Sequence, residues 1–84
     1  MEYFLYILKS NKDNGYYVGI TGNLNNRLNY HNKGRVKSTK SRIPFEIIYT
    51  ETFSSILEAR NREKYLKSYK GSKEKLDIID KATF

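Results

Sequence analysis

Three ionisable side chains, Arg27, His31 and Glu63, occupy positions where two predicted helices should present apolar residues. Arg27 and His31 are spaced i and i+4, and they share one helical stripe with Leu24 and Leu28. Glu63 falls on the apolar stripe of a later helix. A buried charge without a partner is expensive, so such groups pair with one another or line a cleft.

Together with Tyr6 and Tyr17, these three groups have the chemistry that phosphodiester cleavage requires. An arginine stabilises negative charge on a phosphate. A single carboxylate can hold Mg²⁺ or Mn²⁺, which keeps most of its waters and binds phosphate oxygens. A tyrosine or a histidine can accept or relay the proton of an attacking water. The sequence therefore predicts a hydrolytic site for phosphodiesters.

Each ionisable group also has a purely structural interpretation. An arginine at a helix edge commonly extends its charged end into solvent. A lone histidine beside leucines is often a hydrogen-bonded core residue, and a glutamate on a helix stripe is often a salt-bridge partner. Arg27 is a candidate partner for Glu63.

Three segments have the aromatic and β-branched composition of strands; they are residues 3–8, 16–20 and 45–53. The first two are separated by the turn-rich stretch SNKDNG and predict a hairpin. If that hairpin turns around residues 11 and 12, Tyr6 lies opposite Tyr17 on one face of the sheet. A turn at Asn14-Gly15 would shift this register.

Helices are predicted between and after the strands. Thr21 and Asn23 are both suitable caps for a helix over residues 24–32, and Ser55 with Glu58 matches a capping box that begins a helix over residues 55–70. The stretch KEKLDII predicts a short last helix, followed by KATF as a frayed end. The element order ββαβα(α) predicts an α+β fold with a three-stranded sheet flanked by helices.

The chain has 84 residues, no cysteine and a formal net charge of +7. This length predicts a single domain with an ordered core over about residues 3–80. The absence of cysteine excludes a disulfide framework and a thiolate zinc site. No apolar run is long enough to span a membrane, and the N-terminus reads as a strand, so we expect a soluble cytoplasmic protein without membrane contact.

The positive charge favours a polyanionic partner, nucleic acid first, although basic residues can also serve only solubility. Residues 33–44 form a long predicted loop that has five basic and no acidic residues; the basic ones are Lys33, Arg35, Lys37, Lys40 and Arg42. The last helices add further candidate phosphate contacts, namely Lys64, Lys67, Lys70, Lys73 and Lys75. We expect weak, salt-sensitive binding without sequence recognition, or recognition of a branch or flap.

The ordered pattern Y-x10-YVG-x7-R-x3-H, followed by a helix with A-x3-E-x2-LK, resembles the GIY-YIG nuclease domain. The similarity is greatest to its small stand-alone members, extends to the UvrC and Slx1 nuclease domains, and covers about residues 3–80. Phe4-Leu5-Tyr6 stands in place of Gly-Ile-Tyr, whereas Tyr17-Val18-Gly19 keeps the second signature. The resemblance implies a three-stranded antiparallel sheet flanked by helices.

The resemblance also implies a role for each candidate residue. Tyr17 corresponds to the tyrosine that acts as general base or orients the nucleophile, and Tyr6 corresponds to the signature tyrosine that lines the site. Arg27 corresponds to the arginine that contacts the scissile phosphate. His31 stands where members carry His or Tyr for proton relay or phosphate contact, and Glu63 corresponds to the metal-ligating glutamate.

Two further positions bear on this likeness. Gly19 is expected to let substrate or neighbouring backbone approach closely. Ile20 stands where UvrC-like members carry a lysine.

The sequence therefore predicts a Mg²⁺- or Mn²⁺-dependent endonuclease acting on nucleic acid, DNA ahead of RNA. It predicts little sequence specificity, or structure specificity, with a protein partner as one possible source of selectivity. One alternative is a catalytically weak nucleic-acid-binding module that needs a partner. Another is a partner-binding adaptor whose basic charge is incidental.

Overall fold

Three antiparallel strands form the centre of the structure, a computed structural model that describes residues 1–82. The strands are β1 (Tyr3–Ser10), β2 (Tyr16–Thr21) and β3 (Phe45–Phe53), arranged in the order β2-β1-β3. The helices are α1 (Leu24–Asn32), α2 (Ile56–Lys67) and α3 (Ser72–Ala82), and a short 3₁₀ turn covers Lys40–Arg42. The predicted α+β fold is confirmed.

The turn of the β1–β2 hairpin is longer than a turn centred on residues 11 and 12. It covers residues 11–15, and the strands pair Tyr6 with Gly19 rather than with Tyr17. The predicted register was therefore wrong by two residues. Because side chains alternate between the faces with a period of two, this shift leaves Tyr6 and Tyr17 on the same face of the sheet.

The sheet has an apolar cluster on each face. The first is covered by α1 and contains buried Tyr6, Leu8 and Phe45, against which Leu24 and Leu28 pack. The second is covered by α2 and α3 and contains Leu5, Ile7, Val18, Leu66 and Ile79. Alternate residues of β1 supply the two clusters, so this central strand is buried on both sides.

The helix α2 begins as the capping box predicts and ends earlier than expected. The side chain of Ser55 accepts a hydrogen bond of 3.1 Å from the Glu58 amide. The helix ends at Lys67, three residues before the predicted residue 70, because Ser68 adopts extended backbone geometry. The hydroxyl of Ser68 donates to the Tyr65 carbonyl and caps the last turn.

The helix α3 is longer than the short predicted helix and includes Lys81 and Ala82. These two residues were expected in a frayed end; the rest of that predicted segment, Thr83 and Phe84, lies outside the described residues. Within residues 1–82, no helix is long and apolar enough to cross a membrane.

An ion-pair network attaches α2 and α3 to β3. Arg62 of α2 donates to both carboxylate oxygens of Glu51, at 2.9 and 3.0 Å, and also pairs with Glu74 of α3. Tyr49 donates to Glu51 at 2.6 Å. Burial and this hydrogen bond raise the pKa of Tyr49 to about 12. The network fixes the orientation of α2, the helix that carries Glu63.

Candidate active site

Two of the predicted site residues are positioned by α1. The side chain of Asn23 accepts a hydrogen bond from the first turn of this helix, so Asn23 is its cap. Leu24 and Leu28 pack against the sheet. Because residues three and four apart share a helix face, this packing turns Arg27 and His31 towards the same side of the sheet.

The hydroxyl of Tyr6 joins Arg27 to His31. Tyr6 is 2% exposed, and its oxygen accepts a hydrogen bond of 3.3 Å from Nε of Arg27. The same oxygen lies 3.1 Å from Nε2 of His31, which is fully buried. Nδ1 of His31 lies 2.8 Å from Oγ1 of Thr39, a buried residue of the loop after α1.

The hydrogen bonds that join Arg27, Tyr6, His31 and Thr39 all run in one direction. A guanidinium can only donate, so the hydroxyl proton of Tyr6 is available to Nε2 of His31. The imidazole is then neutral, and its proton on Nδ1 is donated to Thr39. The hydroxyl of Thr39 lies 3.4 Å from the Val36 carbonyl, which can only accept. These hydrogen bonds therefore link Arg27 to the loop that follows α1.

The electrostatics of the buried groups agree with this assignment. Burial raises the pKa of Tyr6, although the hydrogen bond from Arg27 acts in the opposite direction. Burial lowers the pKa of His31, and the charge of Arg27 adds to that effect. The hydrogen bond to Tyr6 raises the pKa of Arg27. At neutral pH this hydrogen-bonded series therefore consists of the Arg27 guanidinium, the Tyr6 phenol and the neutral His31 imidazole.

Gly19 makes room for Tyr6. A Cβ atom at Gly19 would lie 2.4 Å from the Tyr6 hydroxyl oxygen and 2.5 Å from Cζ of the same ring. The two residues are cross-strand partners, so the ring of Tyr6 lies over the Gly19 backbone. The expected close approach at Gly19 is therefore made by a side chain and not by backbone.

Tyr17 differs from Tyr6 in its exposure and its contacts. Its ring centre lies 5.0 Å from that of His31 and 6.4 Å from that of Tyr6. Its side chain is partly exposed, and within residues 1–82 its hydroxyl has no hydrogen-bond partner. Tyr17 is thus the signature tyrosine whose hydroxyl is available to a water or a substrate.

Glu63 is paired with Lys67 rather than with Arg27. Nζ of Lys67 lies 3.1 Å from Oε2 of Glu63 and 5.4 Å from the ring centre of Tyr17. The i, i+4 spacing of glutamate and lysine on one helix is the signal that could have identified this pair from sequence. Lys67, predicted as an outer phosphate contact, therefore lies beside the predicted catalytic groups.

The donor set around Glu63 suits a hydrated divalent cation. Among the described residues, no three His, Cys, Asp or Glu side chains are grouped to hold a metal. Mg²⁺ commonly binds through one or two carboxylates together with waters and substrate phosphates. Glu63 fits that mode, because its side chain is 22% exposed and, among residues 1–82, its carboxylate pairs with Lys67 alone.

The comparison with known protein families decides what kind of domain this is. The GIY-YIG catalytic domain family matches residues 2–77. The chain belongs to the GIY-YIG family. Its members are nucleases, so the cluster of Tyr6, Tyr17, Arg27, His31 and Glu63 is the candidate active site of a GIY-YIG domain.

Small bacterial members of this GIY-YIG group are similar over nearly the whole chain. The UPF0213 protein YazA of Bacillus subtilis is 41% identical over 95% of this chain and 81% of its own length. The UPF0213 protein SH2523 of Staphylococcus haemolyticus is 40% identical over 94% of this chain and 95% of its own. The solution NMR structure of the UPF0213 protein BH0048 from Bacillus halodurans is 31% identical, has a TM-score of 0.55, and covers 93% of this chain and 85% of its own.

The predicted phosphate contacts of this GIY-YIG domain fall into two groups. Eight of the ten are exposed, namely Lys33, Arg35, Lys37, Lys40, Lys64, Lys67, Lys70 and Lys73, and Lys75 is partly exposed. Arg42 instead pairs with Asp13 at 2.8 Å and lies 5.5 Å from the ring centre of Phe45. The hydrogen bond from Arg42 lowers the pKa of Asp13 to about 2. Arg42 thereby attaches the basic loop to the β1–β2 hairpin.

Two residues near the site were not identified from the sequence. Thr39 is fully buried and holds His31, but a threonine within a basic loop has no distinguishing sequence signal. The ring of Tyr30 lies 5.6 Å from the Arg27 guanidinium carbon. Their i, i+3 spacing on α1 could have indicated this contact.

Proposed function

We propose that this GIY-YIG domain is a divalent-metal-dependent endonuclease that hydrolyses phosphodiester bonds in nucleic acid, DNA ahead of RNA, with little sequence specificity. The observation that carries the proposal is the difference in exposure between Tyr6 with His31 and the polar side chains around them. The side chains of Arg27, Tyr17 and Glu63 are partly exposed, while Tyr6 and His31 are buried. A guanidinium, a phenol and a carboxylate are thus available to a substrate, and buried hydrogen-bonded residues support them.

Tyr17 orients the attacking water and accepts its proton. Its hydroxyl is free of protein partners within residues 1–82, so a water can bind there directly. The ammonium nitrogen of Lys67 lies 5.4 Å from the Tyr17 ring centre, so a cation stands beside the tyrosine. General-base catalysis of this kind contributes about 10²- to 10⁴-fold to a rate.

Arg27 binds the scissile phosphate and stabilises the charge that develops on it. Its Nε is held by Tyr6, and its guanidinium lies against the ring of Tyr30. Among the described residues, its two Nη groups donate no hydrogen bond, so they are available to phosphate oxygens. A guanidinium fixed in this way loses little rotational freedom when it binds a phosphate.

Glu63 would hold the Mg²⁺ or Mn²⁺ ion, which supplies charge neutralisation and leaving-group stabilisation when it is bound. The ion-pair network of Arg62 keeps α2, and so Glu63, at a fixed place relative to the sheet. Lys67 must move away from the carboxylate when the cation binds.

His31 positions the other groups and does not contact the phosphate. It is fully buried, and both ring nitrogens are occupied by Tyr6 and Thr39. Through Tyr6 it fixes the direction in which Arg27 donates. Its part in catalysis is therefore to maintain the geometry of the site.

The proposal is tested by cleavage of supercoiled plasmid, flap, four-way junction, single-stranded DNA and hairpin RNA, with Mg²⁺, Mn²⁺ or a chelator. We expect metal-dependent cleavage that falls about 10²-fold or more in Glu63→Gln and Tyr17→Phe. The matched control is Glu58→Gln, a glutamate in the first turn of α2. Cleavage that survives Glu63→Gln at the wild-type rate contradicts the proposal.

A second candidate function is that of a binding module with no useful turnover on its own. The exposed basic residues of the loop after α1 favour it, because they supply affinity for phosphates without any catalytic group. Binding of these substrates without cleavage under any metal condition would identify this function.

A further inference from the structure

Tyr69 is an aromatic residue that lies almost entirely in solvent. Its exposed fraction is 96%, whereas the next most exposed aromatic side chain of the described residues, Tyr30, is 47% exposed. Burial of an aromatic ring is strongly favourable, so a folded domain gains nothing in stability from a ring in this position.

The turn that carries Tyr69 is held by hydrogen bonds on both sides of it. The hydroxyl of Ser68 donates to the Tyr65 carbonyl at 2.6 Å and accepts from the Gly71 amide at 3.2 Å. The hydroxyl of Ser72 donates to the Tyr69 carbonyl at 2.7 Å. Exposure of the ring is therefore a property of an ordered turn.

Gly71 shows how closely this turn packs. The residue is buried, and a Cβ atom there would lie 1.9 Å from the Tyr65 carbonyl oxygen. The backbone at Gly71 therefore packs against the last turn of α2, while the ring of Tyr69 extends into solvent. A ring presented on a fixed backbone loses little freedom when a flat ligand stacks on it.

The residues around Tyr69 are positively charged, and one of them reaches the candidate active site. Lys70 and Lys73 are exposed neighbours in the chain. Lys67, two residues before Tyr69, contacts Glu63 and the ring of Tyr17. Two residues span at most about 7 Å, so the backbone of Tyr69 lies close to that of Lys67.

An exposed aromatic ring among lysines is the combination that binds single-stranded nucleic acid. Lysines hold the phosphates, and each unpaired base has a flat face that stacks on a ring. The bases of a duplex already stack on one another inside the helix, so they do not need such a ring. The surface therefore distinguishes an unpaired strand from a duplex.

We propose that Tyr69 is a stacking platform for an unpaired base and that the preferred substrate has a single-stranded segment beside the scissile phosphate. This proposal rests on the proposed function for the site that it serves, although stacking can be measured without cleavage. Lys70 and Lys73 hold the backbone of the stacked nucleotide, and Lys67, two residues before Tyr69, contacts Glu63 and the Tyr17 ring.

The first test is equilibrium binding by fluorescence anisotropy, in chelator and at one salt concentration. The ligands are a labelled single-stranded DNA, the RNA of the same sequence and the blunt DNA duplex. We expect Tyr69→Ala to weaken binding of a single strand roughly five- to 150-fold and Tyr69→Phe to retain it within about twofold. Duplex binding should change less than about twofold in both variants.

A matched control separates stacking from a general loss of exposed apolar surface. Leu76→Ala removes an exposed apolar side chain from α3 and should leave binding of the single strands unchanged. The proposal is overturned if Tyr69→Ala binds both single strands as the wild type does. It is also overturned if the duplex loses as much affinity as the single strands, or if the wild type binds no single strand.

A second test observes the stacked ring directly. The chain has no tryptophan, so Tyr69→Trp introduces a single, selectively excitable indole at the proposed platform. Its emission should be quenched by the single strand, with the same midpoint as the anisotropy curve, and not by the duplex. An emission that does not respond to the single strand rejects the platform.

Cleavage assays keep the two proposals distinguishable. Wild-type protein that cleaves duplex and single strand equally, with no effect of Tyr69→Ala on binding, keeps the nuclease and rejects the platform. Protein that binds single strands through Tyr69 and cleaves nothing keeps the platform and rejects the nuclease.

Discussion

The ring of Tyr6 occupies the space that a side chain at Gly19 would require. The two residues face each other across β1 and β2, and the distance from an added Cβ to the Tyr6 hydroxyl oxygen would be 2.4 Å. The glycine of the second signature thereby allows the tyrosine of the first to reach His31 and Arg27. The two signature motifs act as one structural unit.

We therefore expect Gly19→Ala to destabilise the fold and to displace Tyr6. Overpacking of a close contact costs about 1–3 kcal/mol. Urea unfolding followed by circular dichroism measures this loss. Gly22→Ala is the control, because its Cβ would meet only the end of the Met1 side chain at 3.9 Å. Equal stability of the Gly19→Ala variant and the wild type would contradict the packing described here.

The two signature tyrosines should differ in what their hydroxyls do for stability. Tyr6→Phe leaves Nε2 of His31 and Nε of Arg27 without their shared partner, and an unsatisfied buried polar group costs about 1–3 kcal/mol. Tyr17→Phe should change the free energy of unfolding by less than about 0.5 kcal/mol, since its hydroxyl is partly exposed and bonds to no described residue. Unfolding curves that rank the variants in the opposite order would refute this division.

Stability should decrease in acid because of His31. It is the only histidine of the chain, and burial together with Arg27 lowers its folded-state pKa below 6.5. The unfolded chain then binds more protons between the folded-state pKa and pH 6.5. The stabilising contribution is complete above pH 6.5 and is lost as the pH falls towards the folded-state pKa, with a limiting slope of about 1.4 kcal/mol per pH unit.

The pH dependence is measured as the free energy of unfolding between pH 7 and 5. His31→Gln should be less stable at pH 7, because one amide cannot reproduce both hydrogen bonds of the ring. Its stability should also change less over this range, since the side chain no longer titrates. An identical slope in both proteins would mean that His31 does not carry the effect.

Lys67 should compete with a divalent cation for Glu63. Removing the ammonium in Lys67→Met frees the carboxylate and removes a nearby positive charge. An exposed ion pair of this kind is worth about 0.2–1 kcal/mol, so Mn²⁺ affinity should rise by up to about fivefold. Electron paramagnetic resonance of free Mn²⁺ measures the affinity without any assay of activity.

Lys64→Met is the control for Lys67→Met, because it makes the same change of net charge at an exposed position of α2. An equal rise in Mn²⁺ affinity in both variants would show that only net charge matters. Weaker binding in Lys67→Met would show that the lysine supports the metal site.

The elements of this protein could largely be predicted from its sequence. The bounds of α1 and β3 agree with the prediction, and the capping residue Ser55 begins α2. Hydrophobic periodicity and capping are local properties, so they can be recognised in a short segment of sequence. The same spacing of residues predicted the family to which the chain belongs.

The hairpin register and the partners of the site residues depended on the tertiary structure. A shift of two residues keeps the same side chains on the same face, so the hydrophobic pattern did not distinguish Tyr6–Gly19 pairing from Tyr6–Tyr17 pairing. The prediction that α2 continues to residue 70 failed because the hydroxyl of Ser68 caps the helix before that point.

The identities of the site residues could be predicted from the sequence. Which of them are buried and which are exposed to a substrate was decided by the tertiary structure. Tyr6 and Tyr17 are the same amino acid in matching motifs, yet one is buried between Arg27 and His31 and the other keeps a free hydroxyl among the described residues. Burial and hydrogen bonding are set by what α1 and the loop with Thr39 place around each ring. Those neighbours are distant in sequence, so only the folded chain decides which side chains support the site and which are exposed to a substrate.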